Sequence, residues 1–361
     1  MRLTKILQVA GAALFAVAIG TTGAAAQKDK VKAAFVYVGP IGDHGWSYQH
    51  NQGRLALEKE FGDKVETSYV ENVSEGPDAE RVIQQLAQQG NDIIFTTSFG
   101  FMNPTLKVAK KFPNVKFEHA TGFKTADNLA IYNTRFYQGR YIVGQIAGKM
   151  TKTNTIGYIA SFPIPEVVMG INATYLGAKS VNPDIKLKII WVSSWFDPGK
   201  ETDAAKALVD QGADILMQHT DSPAAMKLAE QQGIFAVGQA SDMKNFGPNA
   251  QLTSITDNWA PYYISRVKAV MDGTWTSTDV WGGLGNGMLK MAPFSDKIPA
   301  DVVALAEETE ARIKSGEFDP FTGPLNKQDG SPFLKEGEVA ADKVLLGMNF
   351  YVEGIEGSLP K

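Results

Sequence analysis

The chain has 361 residues, a formal charge of −4 at pH 7 and no cysteine. The weakly acidic composition gives no indication of nucleic acid binding, which requires a basic face, and a chain without cysteine forms no disulfide and carries no lipid on a cysteine. Its length is sufficient for two domains of ordinary size.

The first 26 residues have the pattern of a secretory signal peptide. Arg2 and Lys5 precede an apolar stretch, and small residues follow up to Ala24-Ala25-Ala26. A membrane anchor is the alternative, but the apolar stretch is short for a span, and Gly and Thr interrupt it. We therefore expect cleavage after Ala26, a formal charge that falls from −4 to −6, and a soluble, periplasmic protein that is not a lipoprotein.

Apolar, strand-like runs alternate with helical patterns along the remaining chain. In the first half, KAAFVYV, ETSYVE and NDIIFTT precede predicted helices near 47–61, 77–89 and 104–112, and VKFEHA and LAIYN follow. In the second half, TIGYIAS, KLKIIWVSS and ADILMQH precede predicted helices near 166–180, 199–211 and 222–232, and IFAVGQ follows. This alternation predicts parallel sheets with helices on both faces.

The two halves follow one plan. LAQQGNDIIF (86–95) and LVDQGADILM (208–217) each end a predicted helix at a glycine and then enter a strand through Asp. Gly53 and Gly177 occupy matching places in the first helix of each half. The repetition predicts two α/β lobes, and one shared sheet is the alternative.

Two facing lobes would form a cleft, because ligands bind beyond the carboxyl ends of the strands in open parallel sheets. The loops at those ends contain Trp46, Phe99, Phe101, Phe123, Phe162, Trp195 and Phe196, together with Asp43, His44, Glu166, Asp197, His219, Asp221 and Asp242. Aromatic walls with a few polar groups suit a small, flat, polar ligand. Trp46 lies in a turn, GPIGDHGWSYQHNQG (39–53), that does not need an indole, so we expect it to stack on the ligand.

Several of these residues also have a structural interpretation. Asp43 is equally suited to cap the helix that follows it. His44 and His219 lack the spacing of a metal site, and no cofactor is expected. One of Phe99 and Phe101 should face the cleft while the other packs behind it. We expect no enzyme, because there is no GxSxG elbow and no carboxylate pair fixed by local spacing.

Several stretches taken together resemble the basic membrane protein family of solute-binding proteins for ABC importers. The turn at 39–53 is similar to the family's run of Gly, one or two Asp and Ser-Phe-Asn, and FPNVKFEHATG, FYQGRYIVGQIAG, GAKSVNPDIK and DQGADI match as well. The resemblance implies the type I periplasmic-binding fold, which has two Rossmann-like α/β lobes joined by three hinge crossovers. Lobe one would comprise 27–135 and about 255–280, and lobe two 136–254 and about 281–361. It also implies a monomer that delivers its ligand to a permease in the inner membrane.

Family members with known ligands often bind purine nucleosides, with the base between aromatic rings and an Asp and a Lys on the ribose hydroxyls. The resemblance assigns the first ring to Trp46, and Trp195 could face it across the cleft. In AVGQASD, Ala240 replaces the first acid of the family pattern and Asp242 keeps the second, and in TSITD, Asp257 replaces the Lys. Because both ribose-binding positions differ, we expect a free purine base, such as adenine, rather than a nucleoside.

Carboxylates would then accept hydrogen bonds from the NH and amino groups of the base. The expected ligand-binding residues are Asp43, Trp46, Phe99, Phe101, Glu166, Trp195, His219, Asp242 and Asp257. Three alternatives stay open. A slipped alignment would restore nucleoside binding, and the same fold also suits a sugar-type ligand or a sensor role.

Overall fold

The computed structural model describes residues 28–42 and 44–360, so the predicted signal peptide and Asp43 lie outside the described residues. In chain order, the strands are β1 (Val31–Val36), β2 (Val65–Val70), β3 (Ile93–Thr96), β4 (Lys116–Ala120), β5 (Leu129–Thr134), β6 (Thr155–Ala160), β7 (Lys186–Trp191), β8 (Ile215–His219), β9 (Phe235–Ala240), β10 (Gln251–Asp257), β11 (Asp279–Gly282), β12 (Leu289–Met291), β13 (Leu325–Asn326) and β14 (Pro332–Leu334). The helices are α1 (Gly45–Phe61), α2 (Pro77–Gln88), α3 (Met102–Lys111), α4 (Phe136–Met150), α5 (Pro165–Val181), α6 (Pro198–Asp210), α7 (Ala224–Gln232), α8 (Ala260–Met271), α9 (Ala300–Ser315) and α10 (Asp342–Leu345).

The first lobe is built on a parallel sheet with the strand order β11-β5-β4-β3-β1-β2. Its central strands are apolar on both faces because helices cover both. Residues of α1 and α8 pack against one face, and residues of α2 and α3 pack against the other. The carboxyl ends of the strands therefore remain the uncovered edge, where loops can receive a ligand.

The second lobe repeats this arrangement with the order β12-β10-β9-β8-β6-β7, in which only β12 is antiparallel among the described strands. One face is covered by α4, α5 and the C-terminal α9, and the other face by α6 and α7. The predicted fold class, two α/β lobes of one plan, is confirmed. Among the described residues, no helix is both long enough and apolar enough to span a bilayer.

The matching glycines lie where helices approach each other closely. A Cβ atom on Gly177 would lie 2.0 Å from the carbonyl oxygen of Tyr141 in α4, and one on Gly53 would lie 2.9 Å from the ring of Tyr263 in α8. Any side chain at these positions would push the helices apart, so α5 and α1 need glycine there.

Within the described part of the chain, the backbone passes between the lobes three times. It leaves the first sheet after β5 and enters α4, returns between β10 and α8, and leaves again between β11 and β12. Strand pairing groups 255–257 with the second sheet and 281–282 with the first. The lobes meet along these crossings, and Thr134 at the first one donates a hydrogen bond of 2.9 Å to Asp257 at the second.

Candidate functional site

A cavity lies between the lobes, where the carboxyl ends of the two sheets face each other. It contains about 370 Å³ of space free of protein atoms, part of which is open to solvent. Lobe one lines it with Val38, Trp46, Ser98, Phe99 and Thr121, and lobe two with Ile164, Glu166, Trp195, His219, Asp221 and Gln239. Each of these residues follows or ends a strand, or lies in the first turn of a helix. The cavity therefore occupies the position at which open α/β sheets bind ligands.

Trp46 forms part of the lobe-one wall and is held by an aromatic cluster behind it. Its indole nitrogen donates to the carbonyl oxygen of Thr97 at 2.6 Å. Its ring lies edge-to-face with His50 at 4.3 Å and with Trp259 at 5.5 Å between centroids, and the latter two rings stack on each other. These contacts fix the orientation of Trp46 while leaving it half-buried at the cavity.

Lobe two contacts the first turn of α1. Gly45 has a φ of +79° and donates its N–H to Ser241 at 2.7 Å, and a Cβ atom on Gly45 would lie 2.2 Å from the carbonyl oxygen of Asp221. The backbone N–H of Trp46 also faces the Asp221 carboxyl group. Burial raises the pKa of Asp221 well above its ordinary value, and the nearby Glu201 adds to this effect, while the Trp46 N–H opposes it. The free N–H groups of α1 thus join the lobes in a closed arrangement.

Trp195 forms part of the opposite wall. Its ring packs against Phe162 at 5.1 Å, and its indole nitrogen reaches lobe one, where it donates to Glu75 at 3.2 Å. The same Glu75 oxygen accepts from the Ser98 hydroxyl at 2.5 Å and from the Gly100 N–H at 2.9 Å. This carboxylate therefore links the Trp195 loop to the loop that follows β3.

Glu166 and His219 supply polar groups from lobe two. Glu166 lies 3.7 Å from His219 Nε2 and accepts a long hydrogen bond of 3.3 Å from Asn133. Burial lowers the pKa of His219, and the nearby Glu166 offsets only part of this decrease. The imidazole is therefore neutral at pH 7. Because both contacts of Glu166 are long, its oxygens retain the capacity to accept hydrogen bonds from a ligand.

Gln239 is oriented by a buried cation. Arg140 of α4 is fully buried, lies over the rings of Phe136 and Tyr158, and donates to the Gln218 carbonyl oxygen at 2.7 Å and to Gln239 Oε1. Because Oε1 faces Arg140, the Nε2 group of this amide is the donor available to a ligand.

The structure brings five of the nine predicted residues to this cavity: Trp46, Phe99, Glu166, Trp195 and His219. The prediction that Phe101 binds the ligand is wrong, because the 3-10 turn at Phe99–Phe101 directs its side chain into the core against α2 and α3. Of the two phenylalanines, Phe99 alone lines the cavity.

The prediction that Asp242 binds the ligand in this cavity is also wrong. It is exposed away from the cavity, where it accepts hydrogen bonds from the Lys244 N–H at 3.0 Å and from Gln251 at 2.7 Å. Asp257 is fully buried at the crossing and does not line the cavity. One of its oxygens accepts from Thr134, and the other has no partner within the described residues. Asp43 lies outside the described residues.

Sequence reasoning did not select Asp221 or Gln239 as binding residues. Asp221 is one of several acids in the cleft loops, and no local pattern distinguishes it. Gln239 precedes Ala240 within the last two residues of β9, so its position at the carboxyl end of a parallel strand was the available signal. Over 28–42 and 44–360, no group of three or more His, Cys, Asp and Glu side chains could hold a metal ion.

Known proteins give matches over most of the chain. The family profile described as ABC transporter substrate-binding protein PnrA-like matches residues 30–320. A purine-binding protein of Brucella abortus is 63% identical over 94% of this chain and 97% of its own length. A putative ABC transporter glucose-binding protein of Haloferax volcanii is 39% identical over 94% of this chain and 83% of its own length.

Solved structures share the fold. A solute-binding protein of an ABC transporter system from Conexibacter woesei has a TM-score of 0.65 and 24% identity, over 80% of this chain and 98% of its own. A solute-binding protein from Aeropyrum pernix has a TM-score of 0.69 and 20% identity, over 80% of this chain and 92% of its own. At this identity, the likeness concerns the fold.

Proposed function

The chain belongs to the family of PnrA-like ABC transporter substrate-binding proteins, and from this premise we propose that it captures a free purine base between its lobes. Members of this family are solute-binding proteins rather than enzymes, and they bind a small molecule that a membrane permease transports. The observation that carries the purine proposal is the composition of the cavity, which combines aromatic rings from both lobes with hydrogen-bonding side chains. The purine-binding relative from Brucella abortus supports the same ligand class.

The aromatic rings would bind the faces of the base. Trp46 and Phe99 belong to lobe one and Trp195 to lobe two. Stacking of a base on an aromatic ring contributes about 1–3 kcal/mol. A ligand that contacts rings of both lobes has more contacts in the closed state than in the open state, so its binding shifts the equilibrium toward closure.

The polar side chains would bind the edge of the base. Glu166 can accept from an NH or amino group, and Gln239 can donate through Nε2 to a ring nitrogen. Burial raises the pKa of Asp221 and so favours its uncharged carboxyl group, which both donates and accepts. Adenine offers the complementary pair, an amino group beside a ring nitrogen.

Two features favour a base over its nucleoside. Ala240 is fully buried and has no side-chain acceptor for a ribose hydroxyl, and Asp257 is bonded to Thr134 outside the cavity lining. Each ribose hydroxyl buried without a partner would cost about 1–3 kcal/mol.

Calorimetric titration of ligand-stripped protein tests the proposal. The titrants are adenine, guanine, hypoxanthine, adenosine, guanosine and, because of the Haloferax volcanii relative, glucose. We expect at least one base to bind at least tenfold more tightly than its nucleoside. Equal or tighter binding of a nucleoside would refute the base preference, and binding of glucose without any purine would refute the ligand class.

We also propose export to the periplasm through a cleaved signal peptide. Its basis is the pattern of residues 1–26, together with membership of a family that delivers solutes to permeases. The proposed cycle is therefore capture in the periplasm, closure of the lobes, and release to an inner-membrane permease, with no chemical step.

A further inference from the structure

A second cavity, partly open to solvent, adjoins the first between the lobes. It shares Phe99, Thr121, Ile164 and Glu166 with the first cavity, and it contains about 560 Å³ of space free of protein atoms, including open solvent. Its other lining residues are Gly122, Phe123, Asn133, Pro165, Met169 and Leu346. We call this second cavity the annex. It remains open in the closed arrangement, in which the lobes already contact each other at Gly45 and Trp195.

The lining of the annex is mainly apolar. Phe99 and Phe123 of lobe one approach each other at 6.4 Å between ring centroids, while Ile164, Met169 and Leu346 come from lobe two. Apolar side chains from both lobes thus surround a space that adjoins the ligand cavity. A site for a polar solute alone would not need such a lining.

The mouth of the annex exposes apolar side chains from both lobes. Phe123 is 61% exposed and Leu346 is 42% exposed, and they are two of only six large hydrophobic side chains that are exposed among the described residues. Exposed apolar side chains grouped around a cavity are typical of a binding site.

We propose that the annex is a subsite for an apolar substituent on the purine, so that the ligand class includes purines carrying an alkyl or aryl group. This inference rests on the proposed function, because the purine ring would occupy the first cavity while its substituent passes Phe99 and Ile164 into the annex. Each methylene that becomes buried there would tighten binding by up to about fourfold. A substituent that points in any other direction meets the closed walls of the first cavity and prevents closure.

The first experiment is a positional series measured by calorimetry with the full mature protein. Adenine is compared with derivatives that carry a butyl group at N6, N3, N7 or N9. We expect one position to bind at least threefold more tightly than adenine, because its butyl group becomes buried in the annex, and the others to lose more than tenfold. If adenine binds and no derivative binds at least threefold more tightly, the annex proposal is wrong and the proposed function stands. If none of adenine, guanine and hypoxanthine binds, the proposed function itself fails, and the annex proposal fails with it.

The second experiment uses paired variants. Leu346→Ala should reduce the advantage of the best butyl derivative by at least threefold and leave the affinity for adenine unchanged. Leu55→Ala is the matched control, because Leu55 is 41% exposed, on α1, and does not line either cavity. A loss of the butyl advantage in both variants, or in neither, would show that the substituent does not bind in the annex.

Discussion

Replacing Trp46 by alanine separates stacking on a ligand from packing within lobe one. The indole lines the cavity and also contacts His50, Trp259 and the Thr97 carbonyl oxygen, so the substitution has two effects. Loss of stacking should weaken binding by about 1–3 kcal/mol, which is roughly 5- to 150-fold in Kd. Loss of two aromatic contacts, at about 0.5–1.5 kcal/mol each, should lower the free energy of unfolding of the ligand-free protein by about 1–3 kcal/mol.

The two effects are measured separately. Denaturant unfolding without ligand gives the change in stability, and titration with adenine under conditions in which both proteins are folded gives the change in affinity. The affinity of Trp46→Phe should lie between those of the wild-type protein and Trp46→Ala, because phenylalanine keeps a ring face but leaves the Thr97 carbonyl oxygen without its indole donor.

Trp191→Ala is the matched control. Trp191 is another half-buried tryptophan, which ends β7 and packs at the border of the lobe-two core without lining the cavity. It should lose stability and keep its affinity. If Trp46→Ala behaves like Trp191→Ala, with Kd unchanged within twofold, then Trp46 is a packing residue and the stacking role is refuted.

Three further outcomes follow from the structure. Burial raises the pKa of Glu201 to about 7, so protonation of this side chain favours the folded state. The free energy of unfolding should therefore fall by up to about 3 kcal/mol as the pH rises from about 4.5 to 7. Urea unfolding of Glu201→Gln should not show this decrease with pH. Glu75→Ala removes the acceptor shared by the Trp195 indole, the Ser98 hydroxyl and the Gly100 N–H, so it should lower the free energy of unfolding and also weaken adenine binding by about 1 kcal/mol in calorimetry; an unchanged affinity would contradict a role in closure. N-terminal sequencing of protein from the periplasm should begin at Gln27, and an intact Met1 in the membrane fraction would contradict export.

The sequence predicts the fold well because its elements are regular and local. Strand runs that are buried on both faces and helices that end at glycine show the alternation without any knowledge of tertiary contacts. Helix α4 was not among the predicted elements. It is buried almost all round, so it lacks the one-sided apolar pattern that identifies a surface helix.

The lining of the cavity was predicted in part because position at the end of a strand is a local property, while the direction of a side chain is not. Phe99 and Phe101 are equivalent in sequence, and only the turn between them separates a cavity ring from a core ring. Gln239 depends on Arg140, which is 99 residues away in the chain, and Asp257 depends on Thr134 across a crossing. Such long-range partners are not encoded in any short pattern.

The division of polar groups between the two walls has a kinetic consequence. Among the described residues that line the cavity, those of lobe one are neutral, whereas Glu166, His219, Asp221 and Gln239 all belong to lobe two. In the open state a purine would therefore meet a ring surface that does not distinguish one base from another, and selection would occur only as the lobes close. Association rates should be similar for all purines, and discrimination should reside in how long each complex lasts. On this scaffold, a change of ligand would then begin with substitutions in lobe two and leave the first turn of α1 as it is.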